Sequence, residues 1–384
     1  MKRRVRPHGA DLCPPIDLFG DNRRIMADTD YELDQPIFLL ASERSGTNLI
    51  RAIFGAHPDV AAPTPPHLLM NFLPLKAGYG DLSRERNFSR LAEDVCTALD
   101  HQLGEWKATI TPRQIVEEAG ERSFIGAFDY VYAREAAACE AERVFFKENE
   151  TFYHAYYLLR QFPDARFIYL VRDGRDMVVS FRDSPNHFGT IEDAAEVWQR
   201  EQQACLDLYT DPSMNDRIFP VHYEDLTTFP GEVISQMCEF VDIPFDDQML
   251  DFHRKRYNIQ AANQVTNWRD ISKPIDSTNY GKYRDELSGR DLAKVESEMY
   301  RELFLTGYPL EESVDKYARQ GSLRDVVSKG WQFVRKVAHR KKLMDLEEFQ
   351  MRRRRVHVFN DMRAELETEH MQPVLRCRAL DLAN

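Results

Sequence analysis

Pro36 to His57 reads PIFLLASERSGTNLIRAIFGAH, and the fold class is decided in this stretch. Ile37 to Ala41 is an unbroken apolar run, too short for a helix and apolar on both faces. That is what a central parallel strand covered by helices on each side requires. A polar turn, Ser42 to Thr47, follows it. Next comes an amphipathic helix with Leu49, Ile50, Ile53 and Phe54 on its buried face and Pro58 marking its end. Strand, loop and helix N-terminus in direct succession bind anions for a physical reason. The first helical N–H groups have no partner within the helix, and the helix dipole places partial positive charge there. Gly46 lets the backbone approach an anion closely, Ser45 and Thr47 add hydroxyls, and Arg44 adds a fixed charge with a planar fork of donors. The pattern G-x-x-x-x-G-K-[ST] is not met, because position 41 is alanine and the nearest cation, Arg44, precedes Gly46. An ordinary strand-to-helix turn that happens to hold serine and glycine would read the same.

Working outward, two further short apolar runs stand at Val144 to Phe146 and Phe167 to Val171. Helices separate them. Ser123 reads as the N-cap of one carrying Phe124, Ala127, Phe128, Val131 and Tyr132, and another holds Tyr153, Tyr156, Tyr157 and Leu158 before a Phe162-Pro163 stop. This alternation predicts an α/β fold: a P-loop-like doubly wound sheet of mostly parallel strands flanked by helices, with a helical C-terminal extension. Ligands in such sheets collect at the carboxyl ends of the strands. Arg44, Lys147 and Arg172 each stand just past one. Three cations at one sheet edge repel one another unless an anion of high charge lies between them. The alternative is that each is a surface cation paired with a neighbouring carboxylate, Glu43, Glu148 or Asp173.

Composition narrows the classes. With 384 residues, 43% of them hydrophobic and 11% aromatic, the chain has ample core for one large or two modest domains. A net charge of −12 argues against a nucleic-acid partner. No window approaches about 18 uninterrupted apolar residues, and the basic N-terminus has no apolar stretch behind it, so the expected compartment is the cytosol. Six scattered cysteines without a C-x-x-C pair read as reduced thiols, and no histidine spacing suggests a metal site.

The expected organisation is a polar leader over 1–35, a main domain over 36–311 and a charged helical extension over 312–384. Within the main domain, Ala61 to His67 (AAPTPPH) is expected to run extended over the surface. It leads into an insertion over 66–122, with Phe72, Tyr79, Phe88 and Trp106, that suits a cap or a substrate-facing wall. In the extension, 329–359 mixes Trp331, Phe333, Val334, Val337, Leu346 and Phe349 with the basic cluster Arg352 to Arg355. Packing on the main domain or on a second subunit of a homo-oligomer is the expectation; peripheral contact with an anionic membrane is the alternative.

These motifs bring the chain to a resemblance. Over residues 36 to 310 it resembles the sulfotransferases that use 3′-phosphoadenosine 5′-phosphosulfate (PAPS), above all the branch containing the tyrosylprotein sulfotransferases. RSGTN is similar to that family's 5′-phosphosulfate loop, which implies that Arg44, Ser45, Gly46, Thr47 and Asn48 hold the sulfonate and 5′-phosphate. VRDGRDMVVS is similar to the 3′-phosphate motif, implying Arg172 and Ser180 as its ligands. Lys147 takes the position of the family's lysine beside the transferring sulfonate. Tyr223, in VHYEDLTTFP, takes the nucleotide-contacting position, and KPIDSTNYGKY resembles the closing loop, with Lys273 and Lys282 at the family's spacing. LFLTGYPL resembles the terminal element.

The resemblance breaks at one place. Where the tyrosine-directed branch has a catalytic Glu, alignment on RSGT puts Pro65 and Pro66. The nearest titratable group is His67, and an imidazole is suited to take a hydroxyl proton near neutral pH. The resemblance therefore implies PAPS as co-substrate with no divalent metal. The expected activity is in-line transfer of its sulfonate to a hydroxyl of a carbohydrate, lipid or small molecule, with His67 as base and Lys147 and Arg44 neutralising the leaving oxygen. Two other readings stay open. One is a small-molecule or nucleotide kinase, with Tyr169 to Asp173 as a strand ending in a magnesium-binding aspartate; the other is a non-catalytic nucleotide-binding module.

Overall fold

The computed structural model of the chain describes residues 33–184, 189–311 and 346–370. The leader before residue 33, and Trp331 to Val337 with the rest of 312–345, lie outside the described residues. Five strands, β1 (Ile37–Ala41), β2 (Val60–Ala61), β3 (Arg143–Phe146), β4 (Arg166–Val171) and β5 (Ile218–His222), form one sheet in the order β2-β3-β1-β4-β5. Every pairing is parallel.

Helices α1 (Thr47–Phe54), α2 (Leu68–Phe72), α3 (Glu85–Asp100), α4 (Pro112–Glu118) and α5 (Phe124–Ala138) precede β3. Helix α6 (Ala155–Gln161) joins β3 to β4, and α7 (Gly174–Asp183) and α8 (Ile191–Tyr209) join β4 to β5. After β5 come α9 (Tyr223–Thr228), α10 (Pro230–Phe240), α11 (Arg256–Gln264), α12 (Tyr283–Glu286), α13 (Gly289–Leu305) and α14 (Leu346–His370). This is the α/β fold expected from the apolar runs.

The runs are unbroken because each strand buries both faces. Phe38, Leu40, Phe146 and Phe167 enter the core shared with α3 and α5, while Ile37, Leu39, Phe145 and Ile168 enter the core shared with α1 and α10. Phe38 stacks on Phe146 at 4.6 Å between centroids, and Phe54 of α1 on Phe145 at 4.4 Å. Strand order reverses around β1, so β1, β3 and β4 form a switch point of the kind where α/β sheets bind ligands. Register adds an asymmetry. Ala41 pairs with Leu170 near the end of β4, but Phe146, the last residue of β3, lies opposite Phe38. Continuing both registers, Lys147 falls level with Leu39 and Arg172 level with Glu43, so Lys147 starts about four residues, or roughly 13 Å, deeper along the sheet.

Several local expectations change. Helix α1 ends at Phe54 with Gly55 as its cap, ahead of Pro58. The aromatic helix divides into a 3-10 turn, Thr151–His154, and α6, with Tyr153 and Tyr156 exposed. The AAPTPP stretch is extended but buried rather than on the surface. Its backbone is taken up from three sides. Arg51 Nη1 donates to the Ala62 carbonyl at 2.9 Å, Trp106 Nε1 to the Thr64 carbonyl at 2.9 Å, and Thr64 N donates to the Tyr257 hydroxyl at 3.0 Å.

Helix α14 lies on the 66–122 region. Phe359 meets Phe72 edge to face at 6.1 Å, and Leu366 is buried so closely on Gly78 that a Cβ there would stand 3.0 Å from the leucine Cβ. Of the basic cluster, Arg352 pairs with Glu348 at 2.7 Å and Arg355 turns inward, while Arg353 and Arg354 are exposed.

Candidate active site

Above the carboxyl ends of β1 and β4 lies a cleft of about 520 Å³ lined by Arg44, Gly46, Thr47, Asn48, Arg172, Ser180, Tyr223, Lys273 and Lys282. Nine residues named from the sequence thus meet in one place. Ser45 sits behind the loop, fully buried.

The loop after β1 turns through left-handed backbone at Arg44 (φ 65°) and Gly46 (φ 95°). Gly46 is obligatory here, because an added Cβ would stand 2.5 Å from the Tyr223 ring. Arg44 Nε donates to Ser180 Oγ at 3.2 Å, tying the loop to α7. Arg172 lies over the Tyr223 ring, 4.4 Å from its centroid, and donates to the carbonyls of Arg44 at 3.2 Å and Asn279 at 2.8 Å. Asn279 in turn donates to the Tyr223 hydroxyl at 2.9 Å. Among the described residues no carboxylate pairs with Arg172, and its buried Nε has no partner. Burial lowers the Arg44 pKa, Glu43 opposes it, and Arg172 reinforces it.

A polar atom left over describes what belongs there. Arg172 Nε, a donor on a residue that lines the cleft, is buried without a partner, and a buried polar group without one costs about 1–3 kcal/mol. Together with the first N–H groups of α1, the hydroxyls and guanidinium fit a phosphate-bearing ligand. The segment carrying Lys273 and Lys282 covers the cleft, pinned by Asp176, which accepts from Gly281 N and, at 3.0 Å, from Tyr283 N. Both lysines are exposed, and Lys273 pairs with Asp270 at 2.9 Å.

Lys147 lines a smaller neighbouring cavity of about 30 Å³, with Thr47 common to both spaces. Its ammonium donates to Asn149 Oδ1 at 3.1 Å, and burial pushes its pKa down to about 8. Glu148 Oε1 accepts from the Tyr132 hydroxyl at 2.6 Å and from Leu68 N at 3.2 Å, while Oε2 has no hydrogen-bond partner. That free oxygen stands 4.0 Å from His67 Nδ1. Burial raises the Glu148 pKa. His67 has left-handed backbone (φ 60°), and burial, with the Arg355 and Lys147 charges, holds its imidazole well below the usual range. The imidazole thus lies near the Glu148 carboxyl group and the Lys147 amine.

Asp173, the partner that the surface-cation alternative gave Arg172, is turned away to Arg175. Glu148, Asn149, Asp176, Asn279 and Arg355 join the site without having been singled out as functional. Glu148 had a signal, its place next to Lys147; Arg355 was read only as one of the basic cluster Arg352 to Arg355, with nothing in the sequence to set it apart from its neighbours. Among the described residues no group of three or more His, Cys, Asp or Glu could hold a metal ion, and no helix is long and apolar enough to cross a membrane.

A family model described as "Sulfotransferase family" matches residues 36–247. Among curated proteins, the chain is 25% identical over 292 residues to "Protein-tyrosine sulfotransferase" of Drosophila melanogaster, covering 72% of this chain and 53% of that one. It is also 25% identical over 308 residues to "Protein-tyrosine sulfotransferase 1" of Danio rerio, covering 76% of this chain and 78% of that one. The chain thus spans about half the length of the first relative. Among solved structures, the "Sulfotransferase Domain from the Curacin Biosynthetic Pathway" superposes with a TM-score of 0.51 at 21% identity, over 73% of this chain and 100% of that one, and shares the fold.

Proposed function

The chain belongs to the sulfotransferase family, and on that premise we propose that it moves the sulfonate of PAPS onto a hydroxyl acceptor, with the donor held in the cleft above β1 and β4. The observation that carries this reading is Arg172, a guanidinium with a buried unpartnered Nε and no directly paired carboxylate among the described residues, opening on a cleft with Arg44 and Ser180. In the transfer, a bond forms between acceptor oxygen and sulfur as the sulfur–oxygen bond to the 5′-phosphate breaks, and adenosine 3′,5′-bisphosphate leaves.

Each residue then has a task. Arg172 and Ser180 take the 3′-phosphate. Arg44 to Asn48 and the first turn of α1 take the 5′-phosphosulfate, Tyr223 the nucleotide, and Lys273 and Lys282 close over it. Lys147 and Arg44 stabilise negative charge on the departing oxygen, work that preorganised cations do at no reorganisation cost. His67 receives the acceptor proton, with Glu148 Oε2 4.0 Å from its Nδ1. The names of the two relatives support a tyrosine hydroxyl as the first acceptor to test. A carbohydrate, lipid or small-molecule hydroxyl is the alternative motivated by Pro65 and Pro66.

Calorimetric titration with adenosine 3′,5′-bisphosphate and, separately, adenosine 5′-monophosphate tests the donor assignment. A preference for the bisphosphate of about a hundredfold is expected from a charge-assisted phosphate contact, and Arg172→Ala should erase it. Equal affinity for the two nucleotides in the parent chain would remove the 3′-phosphate site and favour a kinase.

A further inference from the structure

Helix α14 lies outside the residues matched by the family model, yet it spans both halves of the candidate site. Near its start Glu348, 1% exposed, accepts from Thr266 N at 2.9 Å and from Thr266 Oγ1, and Thr266 lines the donor cleft. Two turns later Arg355 reaches the Pro65–Pro66 turn. Its Nη2 donates to the Pro66 carbonyl at 3.1 Å and approaches the Pro65 carbonyl at 3.5 Å. Those are the two carbonyls immediately before His67.

On the other side of His67, the next amide, Leu68 N, is held by Glu148. The histidine is therefore gripped from both flanks, with Asn71 Nδ2 donating to its own carbonyl at 2.8 Å. The grip matters because left-handed backbone at a non-glycine residue costs on the order of 1–3 kcal/mol and persists only where its surroundings impose it. Arg355 forms no ion pair with a carboxylate among the described residues, although Arg353 and Arg354 beside it stay in solvent. A guanidinium spent on two proline carbonyls fixes a turn in the backbone.

We propose that Arg355 is a positioning residue for the transfer reaction. From α14 it clamps the Pro65–Pro66 turn so that His67 is held against Glu148, and the C-terminal helix is thereby a working part of the site. The proposal rests on His67 being the base. The charged groups facing the imidazole are Glu148, Lys147 and Arg355 itself.

The test uses the full chain and does not depend on knowing the acceptor. The His67 ring is titrated by NMR, its signal assigned through its loss in His67→Gln, in the parent, Arg355→Ala and Arg355→Lys. Removing the nearby cation and loosening the turn should raise the His67 midpoint by about one pH unit. Lysine, which keeps the charge and a donor, should restore most of it. Affinity for adenosine 3′,5′-bisphosphate should stay within about twofold in both variants, and turnover of 2-naphthol, a hydroxyl probe that stays protonated near neutral pH, should fall about tenfold or more in Arg355→Ala. An unmoved midpoint in Arg355→Ala, a lysine variant that behaves like alanine, or a parallel loss of nucleotide affinity would each overturn the proposal. The base assignment fails separately: 2-naphthol turnover unchanged in His67→Gln would discard it while the measured coupling of Arg355 to His67 stood.

Discussion

Arg172 and Arg175 stand three residues apart in VRDGRD, and the molecule uses them in opposite ways. Arg175 looks into the packing between α7 and α13. Its Nε and Nη2 meet Asp173 at 2.9 and 2.7 Å, its Nη1 meets Glu296 at 2.6 Å and the Pro309 carbonyl at 2.9 Å, and its plane lies over Tyr283. Arg172 looks into the cleft. It is held by two backbone carbonyls and a ring, all neutral, and keeps a buried donor unpartnered. A guanidinium whose charge is cancelled by carboxylates is a structural clamp. One fixed in place by neutral groups is a preorganised anion site, because its charge remains to be balanced.

The largest expected effect tests that contrast directly. Arg175→Met leaves Asp173 and Glu296 buried without their cation and should lower the unfolding free energy by about 3–5 kcal/mol in urea denaturation. Arg172→Met should change it by less than about 1 kcal/mol. Equal losses in the two variants would break the comparison.

A smaller effect is expected at Gly46, which the contrast makes the floor of the Arg172 cradle. Alanine there meets the Tyr223 ring and an unfavourable φ, so bisphosphate affinity should fall by the equivalent of about 1–3 kcal/mol in calorimetry. Unchanged affinity would mean that the tyrosine moves freely and the cradle is not rigid.

The smallest concerns Lys147, which donates to the neutral Asn149 as Arg172 does to neutral carbonyls but also lies near the Glu43 and Glu148 carboxyl groups, so it stands between the two classes. Burial has lowered its pKa to about 8, so the ammonium is present below pH 8 and lost above it. Turnover should decline through pH 8 and be about tenfold lower by pH 9, and Lys147→Arg should move that limb beyond the measurable range. A flat profile to pH 9 in the parent would show that the charge of Lys147 is not needed.

Much of this was readable from neighbours in the chain. β1 has the bounds of its apolar run, and β3 and β4 each add one arginine at the start of theirs, because strands buried on both faces announce themselves as uninterrupted apolar stretches. Ser123 caps α5 as its position before the helix suggested, accepting from Gly126 N at 3.0 Å. β2, two residues long, carries no such run. The proline segment shows how far such reading extends. Proline dictates extended backbone, but burial of AAPTPP depends on Arg51, Trp106 and Tyr257, which arrive from three other elements.

The candidate site divides along the same line. By itself the sequence determined that a strand, a loop with Gly46 and a helix N-terminus follow one another, and that cations stand just past three strands, since backbone propensity and helix-end electrostatics act over a few residues. Only the tertiary structure decided which cation does what. Asp173 turning to Arg175, the shorter reach of β3 that sets Lys147 in its own cavity, Glu148 beside His67, and Arg355 on the turn before it all join residues far apart in the chain or choose between near neighbours. Those choices belong to packing, where a buried charge takes the partner that the surrounding core brings within reach.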